Sequence, residues 1–357
     1  MSYLKNKFNI NFLEYLNPES IKIELDRHMI GQHETKKIVS VGVYNHYKRL
    51  FLLKSKNIYL EKSNILLIGP TGCGKTLMVK TLAKIINVPI IVVDATSFTE
   101  AGYVGDDVES IIQKLLHECD YDVELAEQSI IYIDEIDKIS KKTDIMSGKD
   151  VSGEGVQQSL LKLIEGVSLS ITSLAEKKNP SQNPQIFNVD TTNILFIAGG
   201  AFSGIENFVV NRINQETNFL EKINNNYNII CETNTEDLIN FGIIPEFLGR
   251  LPILAKFREL NESELIYILI KSKNALLKQF CYLFLIEGVD IKFTYDSIKE
   301  IAKIAINKKI GARGLKSILE IVLLNTMFFF PSKKKLKMII IFKEVISENK
   351  MPLYILD

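Results

Sequence analysis

Residues 65–76 read Ile-Leu-Leu-Ile-Gly-Pro-Thr-Gly-Cys-Gly-Lys-Thr, an apolar strand that runs straight into Gly69-x-x-x-x-Gly74-Lys75-Thr76 and on into a helical pattern. That order of strand, glycine loop and helix restricts the chain to a phosphate-binding P-loop fold and implies a nucleoside triphosphate as ligand. The glycines let successive backbone N–H groups turn toward the phosphates, and the following helix sets its positive N-terminal end against their charge. The expected contacts run through Gly69, Pro70, Thr71, Gly72, Cys73, Gly74, Lys75, Thr76 and Leu77. Lys75 is placed to reach the β- and γ-phosphates, and Thr76 to offer its hydroxyl to Mg²⁺.

A chain of 357 residues has room for more than one core. Lys plus Arg equals Asp plus Glu at 43 each, so no net field favours a nucleic-acid or membrane partner. The four cysteines, Cys73, Cys119, Cys231 and Cys281, form no C-x-x-C pair and support neither a zinc site nor a disulfide framework. No apolar run approaches the ~20 residues of a membrane span. The N-terminus carries no apolar signal core, and Glu14 and Glu19 do not suit an organelle presequence, so a cytoplasmic protein is expected.

Along the chain, Pro18–Leu25 and Glu34–Leu53 read as helices separated by a turn at Gly31. Strands follow at 65–68, Ile90–Val93, Ile130–Ile133, Asn193–Ile197 and Ile253–Phe257, alternating with helices such as 75–86 and 107–118. Nearly continuous apolar strands between helices predict a parallel sheet covered on both faces, with the site at the strands' C-terminal ends. Residues 142–156 and 169–188 are polar and too long for simple connectors, so they read as functional loops or disorder. From about Asn261 the pattern turns helical, at 262–284, 295–308 and 313–330, the last with Leu315, Ile318, Leu319 and Val322 on one face and stopped by Pro331. A final strand is expected over Leu336–Phe342. The division is therefore a large α/β ATPase domain over 1–258, with a short arm at 1–17, and a smaller, mostly helical α+β domain over 259–357.

Ile130-Ile-Tyr-Ile133 delivers Asp134-Glu135 to a strand end, the Walker B arrangement. Asp134 is expected in the Mg²⁺ shell, and Glu135 as the base that takes a proton from the water attacking the γ-phosphorus.

Five segments, Gly69–Thr76, Tyr132-Ile-Asp-Glu-Ile-Asp-Lys138, Asp150-Val-Ser-Gly-Glu-Gly-Val-Gln-Gln158, Pro245-Glu-Phe-Leu-Gly-Arg250-Leu-Pro252 and Gly311-Ala-Arg313-Gly-Leu315, resemble the ClpX family of AAA+ protein unfoldases. The resemblance spans nearly everything from Ile30 to about Leu353. It implies an ATP- and Mg²⁺-dependent homohexamer that pulls unfolded or tagged proteins through a central pore, in a bacterial cytoplasm rather than an organelle matrix. It makes Arg250 the arginine finger offered to the neighbouring subunit and Arg313 the second sensor, which couples hydrolysis to rotation between domains. It makes Met29 and Ile30 the packing for the adenine base. Gly102-Tyr103-Val104-Gly105 matches the pore loop, with Tyr103 and Val104 as the substrate grip. Lys177-Lys178-Asn179-Pro180 resembles the family's basic substrate loop.

Two departures bear on partners. With four scattered cysteines and no quartet, the family's N-terminal zinc-binding domain is expected to have no counterpart here. The segment that would dock the ClpP peptidase reads Thr217-Asn218-Phe219 where an aliphatic-Gly-Phe tripeptide is usual, which leaves Phe219 as its anchor. Three other readings therefore stay open. One is a chaperone or remodeller switched by ATP without any peptidase. Another is an HslU-like unfoldase, although the insertion after Walker B is too short for that. The third is a DNA motor, for which no basic face or stacking stripe appears.

Overall fold

The computed structural model describes residues 17–52, 60–98, 107–140, 153–172, 185–216, 229–273, 275–329 and 336–356. The first seven strands are β1 (Ile65–Ile68), β2 (Ile90–Asp94), β3 (Ile130–Asp134), β4 (Ser168–Thr172), β5 (Ile186–Asp190), β6 (Leu195–Gly200) and β7 (Ile253–Lys256). All five apolar runs of the sequence enter one parallel sheet in the order β2-β3-β6-β1-β7. The α/β expectation holds. β1 and β6 are buried along their whole length because helices cover both faces of the sheet, while Val92 on the edge strand β2 is 41% exposed.

Two compact units are formed by the described residues. The first comprises His33–Gly69 and Lys75–Phe257, whose core joins Ile131, Ile133 and Phe196 of the sheet to Ile112 and Leu116 on one helix and Leu160 and Leu163 on another. The second comprises Glu24–Gln32, Pro70–Gly74 and Arg258–Asp357. Its sheet, in the order β10-β9-β8, is made of β8 (Asp290–Phe293), β9 (Leu336–Ile341) and β10 (Leu353–Leu356). That sheet shares a core of Leu265, Phe284, Ile301, Leu319 and Ile339 with four helices. Within this unit the Gln32 amide donates to the Arg258 carbonyl at 2.7 Å and accepts from the Arg258 N–H at 3.1 Å. The Arg258 guanidinium is clasped by Glu264, which also closes a capping box with Asn261 at the start of helix Glu262–Ile270.

Several boundaries differ from the sequence reading. The helix expected over 262–284 is two, Glu262–Ile270 and Leu276–Ile286, because the polar run Lys271-Ser272-Lys273 interrupts the apolar periodicity and Ala275 is extended. The stretch 169–188 is framed by an antiparallel ladder of β4 and β5, with Ile171 and Val189 turned inward. Its strands do alternate, with Leu169 and Ile171 on β4 and Phe187 and Val189 on β5 facing the core, but each alternation is only two apolar residues long. Part of 142–156 is helix, since Gly153–Glu165 begins there. β6 starts two residues later than expected because Asp190 caps a 3₁₀ turn over Thr191–Asn193. β8 and β10 were not foreseen at all.

The turn 191–194 that links the β4–β5 ladder to β6 is held by three basic side chains. His46 Nε2 donates to the Asn193 carbonyl (3.2 Å), Arg49 to the Asn193 side-chain oxygen (3.2 Å) and Lys62 to the Thr191 carbonyl (3.1 Å). Burial, reinforced by the charges of Arg49 and Lys62, lowers the His46 pKa to about 3. A histidine held neutral in the fold and free to charge near pH 6.5 when unfolded lends stability that is complete above pH 6.5 and is lost as pH falls toward 3. Going from pH 7.5 to 5.5 should therefore cost the wild type about 1.4 kcal/mol more than a His46→Gln variant, measured by urea denaturation at the two pH values.

Candidate nucleotide-binding site

Thr76 lies in the first turn of helix Lys75–Ile86, which follows β1, and Asp134 closes β3, so the sheet brings the two together from opposite sides of β6. Thr76 Oγ1 donates to Asp134 Oδ2 at 2.9 Å. The other carboxylate oxygen accepts from the buried Tyr132 hydroxyl (3.0 Å) and from the Glu135 N–H (3.0 Å). The Asp134 carboxylate is thereby fixed in position and orientation. Glu135 is exposed and adopts a left-handed conformation, φ 57°, ψ 32°, between β3 and the 3₁₀ turn Ile136–Ile139. A non-glycine residue held there carries backbone strain of the kind that recurs at functional sites. The Lys75 ammonium is buried and donates to the Gly69 carbonyl at 2.6 Å.

The loop Pro70–Gly74 packs within the second unit. Gly72 has φ 78°, and a Cβ there would fall 2.6 Å from the Ile310 carbonyl oxygen. Gly311, at φ 57°, faces it with equal need, since its Cβ would meet the Thr71 carbonyl at 2.9 Å. The Ala312 N–H donates to the Gly72 carbonyl at 3.1 Å, so the two glycines let main chain touch main chain. Met29 is buried, and its methyl lies 2.8 Å from the position of a Cβ on Gly74; Ile30 is half-buried. Between this loop and the helix Tyr295–Asn307 is a small open cleft. Its lining combines the polar Thr71, Glu259 and Lys309 with Leu260, Leu265 and Ile306, three apolar residues that sequence reasoning missed. They carry no motif and read as ordinary core. Arg313 is exposed at the start of helix Arg313–Phe329, directly after Ala312.

Arg250 caps the C-terminus of the short helix Pro245–Gly249 in the first unit. Its guanidinium is 55% exposed and pairs with Glu165 at 2.8 Å, while its carbonyl accepts from the buried Asn64 amide at 2.9 Å. A pair this exposed is weak and exchangeable. Leu77 is exposed. Tyr103 and Val104, residues 150–152, the Lys177–Pro180 segment and Phe219 lie outside the described residues.

Comparison with known proteins adds to this geometry. The model of the AAA domain (Cdc48 subfamily) matches residues 60–254, and that of the C-terminal D2-small domain of the ClpB protein matches residues 260–340. The ATP-dependent Clp protease ATP-binding subunit ClpX of Borrelia duttonii (strain Ly) is 46% identical over 344 residues, which cover 94% of this chain and 80% of the relative. The chain belongs to the ClpX family of AAA+ ATPases. The ClpX of Treponema denticola is 47% identical over 352 residues, covering 95% of this chain and 84% of that protein. A ClpX-family AAA domain is an ATPase, so the substrate is a nucleoside triphosphate.

Mg²⁺ suits the donors present, since a hydroxyl and a carboxylate already converge within 2.9 Å and hard divalent ions take oxygen ligands. Among the described residues no group of three His, Cys, Asp or Glu side chains is placed to hold a metal ion by itself. No helix among them is long and apolar enough to cross a membrane.

A Gly72→Ala substitution should strain φ and force the Ile310 carbonyl aside. It is expected to cost about 1–3 kcal/mol of stability and to weaken binding of a fluorescent ATP analogue, read by thermal denaturation and by titration.

Proposed function

We propose that this protein is an ATP-driven protein unfoldase that works as a homohexameric ring and threads unfolded or tagged polypeptide through its centre. The observation that carries the reading is the Thr76–Asp134 hydrogen bond, with Glu135 exposed beside it on a strained backbone, in a chain of the ClpX family. In this reading the loop Gly69–Gly74 and Lys75 bind the triphosphate, and Met29 and Ile30 pack the base. Thr76 and Asp134 would hold a Mg²⁺, which would supply positive charge against the triphosphate. Glu135 orients a water toward the γ-phosphorus and accepts its proton, so the new P–O bond forms as the bond from the γ-phosphorus to the bridging oxygen breaks and ADP leaves with that oxygen. Arg250 leaves Glu165 and lends its planar cation to the triphosphate of the adjacent subunit. Arg313 senses the γ-phosphate, and Tyr103 with Val104 grips the substrate.

The relatives are named as ATP-binding subunits of the Clp protease. We extend that partnership here, with Phe219 as the docking anchor for a ClpP peptidase and the cytoplasm as the compartment. The test is to mix the protein with ClpP from the same organism and follow degradation of a tagged folded substrate. Degradation supports the partnership; unfolding without degradation leaves an independent remodeller.

Glu135→Gln should retain ATP binding while turnover drops about 10²–10⁴-fold. Tyr103→Ala should keep hydrolysing ATP yet fail to unfold a tagged substrate. Normal unfolding by the Tyr103→Ala protein would sink the threading mechanism.

A further inference from the structure

Helix Gly153–Glu165 touches both halves of the proposed chemistry. At its start, Gly153 sits on the turn that follows Asp134 and Glu135, so closely that a Cβ would fall 2.2 Å from the Ile139 carbonyl oxygen. At its end, Glu165 holds the Arg250 guanidinium. One turn into the helix is Gln157, wholly buried and absent from every motif role assigned so far. Its amide nitrogen donates to the Ile139 carbonyl (2.8 Å) and to the Gly242 carbonyl (3.2 Å), and its oxygen accepts from the Ile244 N–H (2.9 Å). Two carbonyls and one N–H admit a single orientation of the amide, so both N–H groups are used and the side chain has no freedom to turn.

The two ends of this bridge are functionally distinct. Ile139 closes the 3₁₀ turn that begins one residue after Glu135 and contains Asp137, whose buried carboxylate accepts from the Ala201 N–H (3.1 Å) just beyond β6. Ile244 is the N-cap of helix Pro245–Gly249, and Arg250 is its C-cap. The finger helix has only five residues and no side-chain cap at its start, so its placement depends on what holds the Gly242–Ile244 turn. Beside the bonds that Gly242 and Ile243 make back to the preceding helix, Gln157 ties that turn to the Ile139 carbonyl.

We infer that Gln157 is a positioning residue for Arg250: it locks the start of the finger helix to the turn after Glu135, so that each subunit's own hydrolytic strand end and the cation it offers its neighbour share one rigid frame. This rests on the reading of Arg250 as a finger acting between subunits. Misplacing a charge at a reacting phosphoryl group by about an ångström costs on the order of 10²-fold in rate. A Gln157→Met variant, close in size but without the amide, should therefore lower kcat by roughly 10- to 100-fold with the KM for ATP unchanged.

Subunit mixing separates this from a merely structural role. Glu135→Gln subunits cannot hydrolyse but carry an intact Arg250, whereas Gln157→Met subunits keep their own Glu135. Mixed rings should turn over ATP at least about fivefold faster than the sum of the two parents, because the intact finger is worth ~10³ or more in rate. Mixing instead with Glu135→Gln/Arg250→Ala subunits should give only the sum. An Arg250→Ala protein mixed with Glu135→Gln subunits is the control for the underlying reading. If that control recovers and the Gln157→Met mixture does not, Gln157 acts within its own subunit and the inference is overturned. If the control itself fails to recover, Arg250 is no finger and both readings fall. Thermal denaturation verifies folding of each variant. Should Gln157→Met not fold, Gln157→Asn, which keeps a buried amide but shortens its reach, is judged by the same mixing criterion.

Discussion

The site hangs on one short hydrogen bond, from Thr76 to the Asp134 carboxylate. It can form only because β1 and β3 flank β6 in a parallel sheet, so that the loop after one strand and the acid ending another emerge at the same edge. The pleat and register place Asp134 level with Asp94 on the neighbouring strand, yet only Asp134 is turned to a partner across β6. Tyr132 and the Glu135 N–H then bind the second oxygen, and the carboxylate is held before any ligand arrives. Such preorganisation spares the reorganisation that a free carboxylate would undergo during the reaction.

Within the two units, three buried amides fix backbone segments. Gln157 fixes Ile139, Gly242 and Ile244, Asn64 fixes Arg250 and Phe196, and Gln32 fixes Arg258. An amide suits the task, because it offers donors and an acceptor without the desolvation penalty of a charge. The charged alternative appears where Arg49 and Lys62, beside the neutral His46, grip the turn at 191–194, and there burial pulls the Lys62 pKa down to about 7.

Much of this was legible in the residues. Continuous apolar runs of four to six residues gave five strands, and the glycine-lysine-threonine loop with Asp134-Glu135 located the strand ends that matter. What escaped has identifiable causes. The β4–β5 ladder alternates over only two core-facing residues per strand, Leu169 and Ile171 against Val189 and Phe187, too short a pattern to stand out from its polar surroundings. The break at Lys271 lacks the glycine or proline that usually marks one. Gln157 could not be found from its type, since a glutamine in a polar-looking helix start reads as surface, and only the backbone groups converging on it make it buried. Leu260, Leu265 and Ile306 likewise come to line one cleft only through the fold that gathers them.

The meeting of Gly72 with Gly311 has a mechanical consequence. Ordinarily two packed segments are separated by side chains whose rotamers yield and soak up small displacements. Here nothing intervenes, and a carbonyl of one peptide is bonded straight to the amide before Arg313. The contact behaves as a stiff pushrod: a shift of the phosphate loop by a few tenths of an ångström is passed undamped to the head of the helix that begins at Arg313.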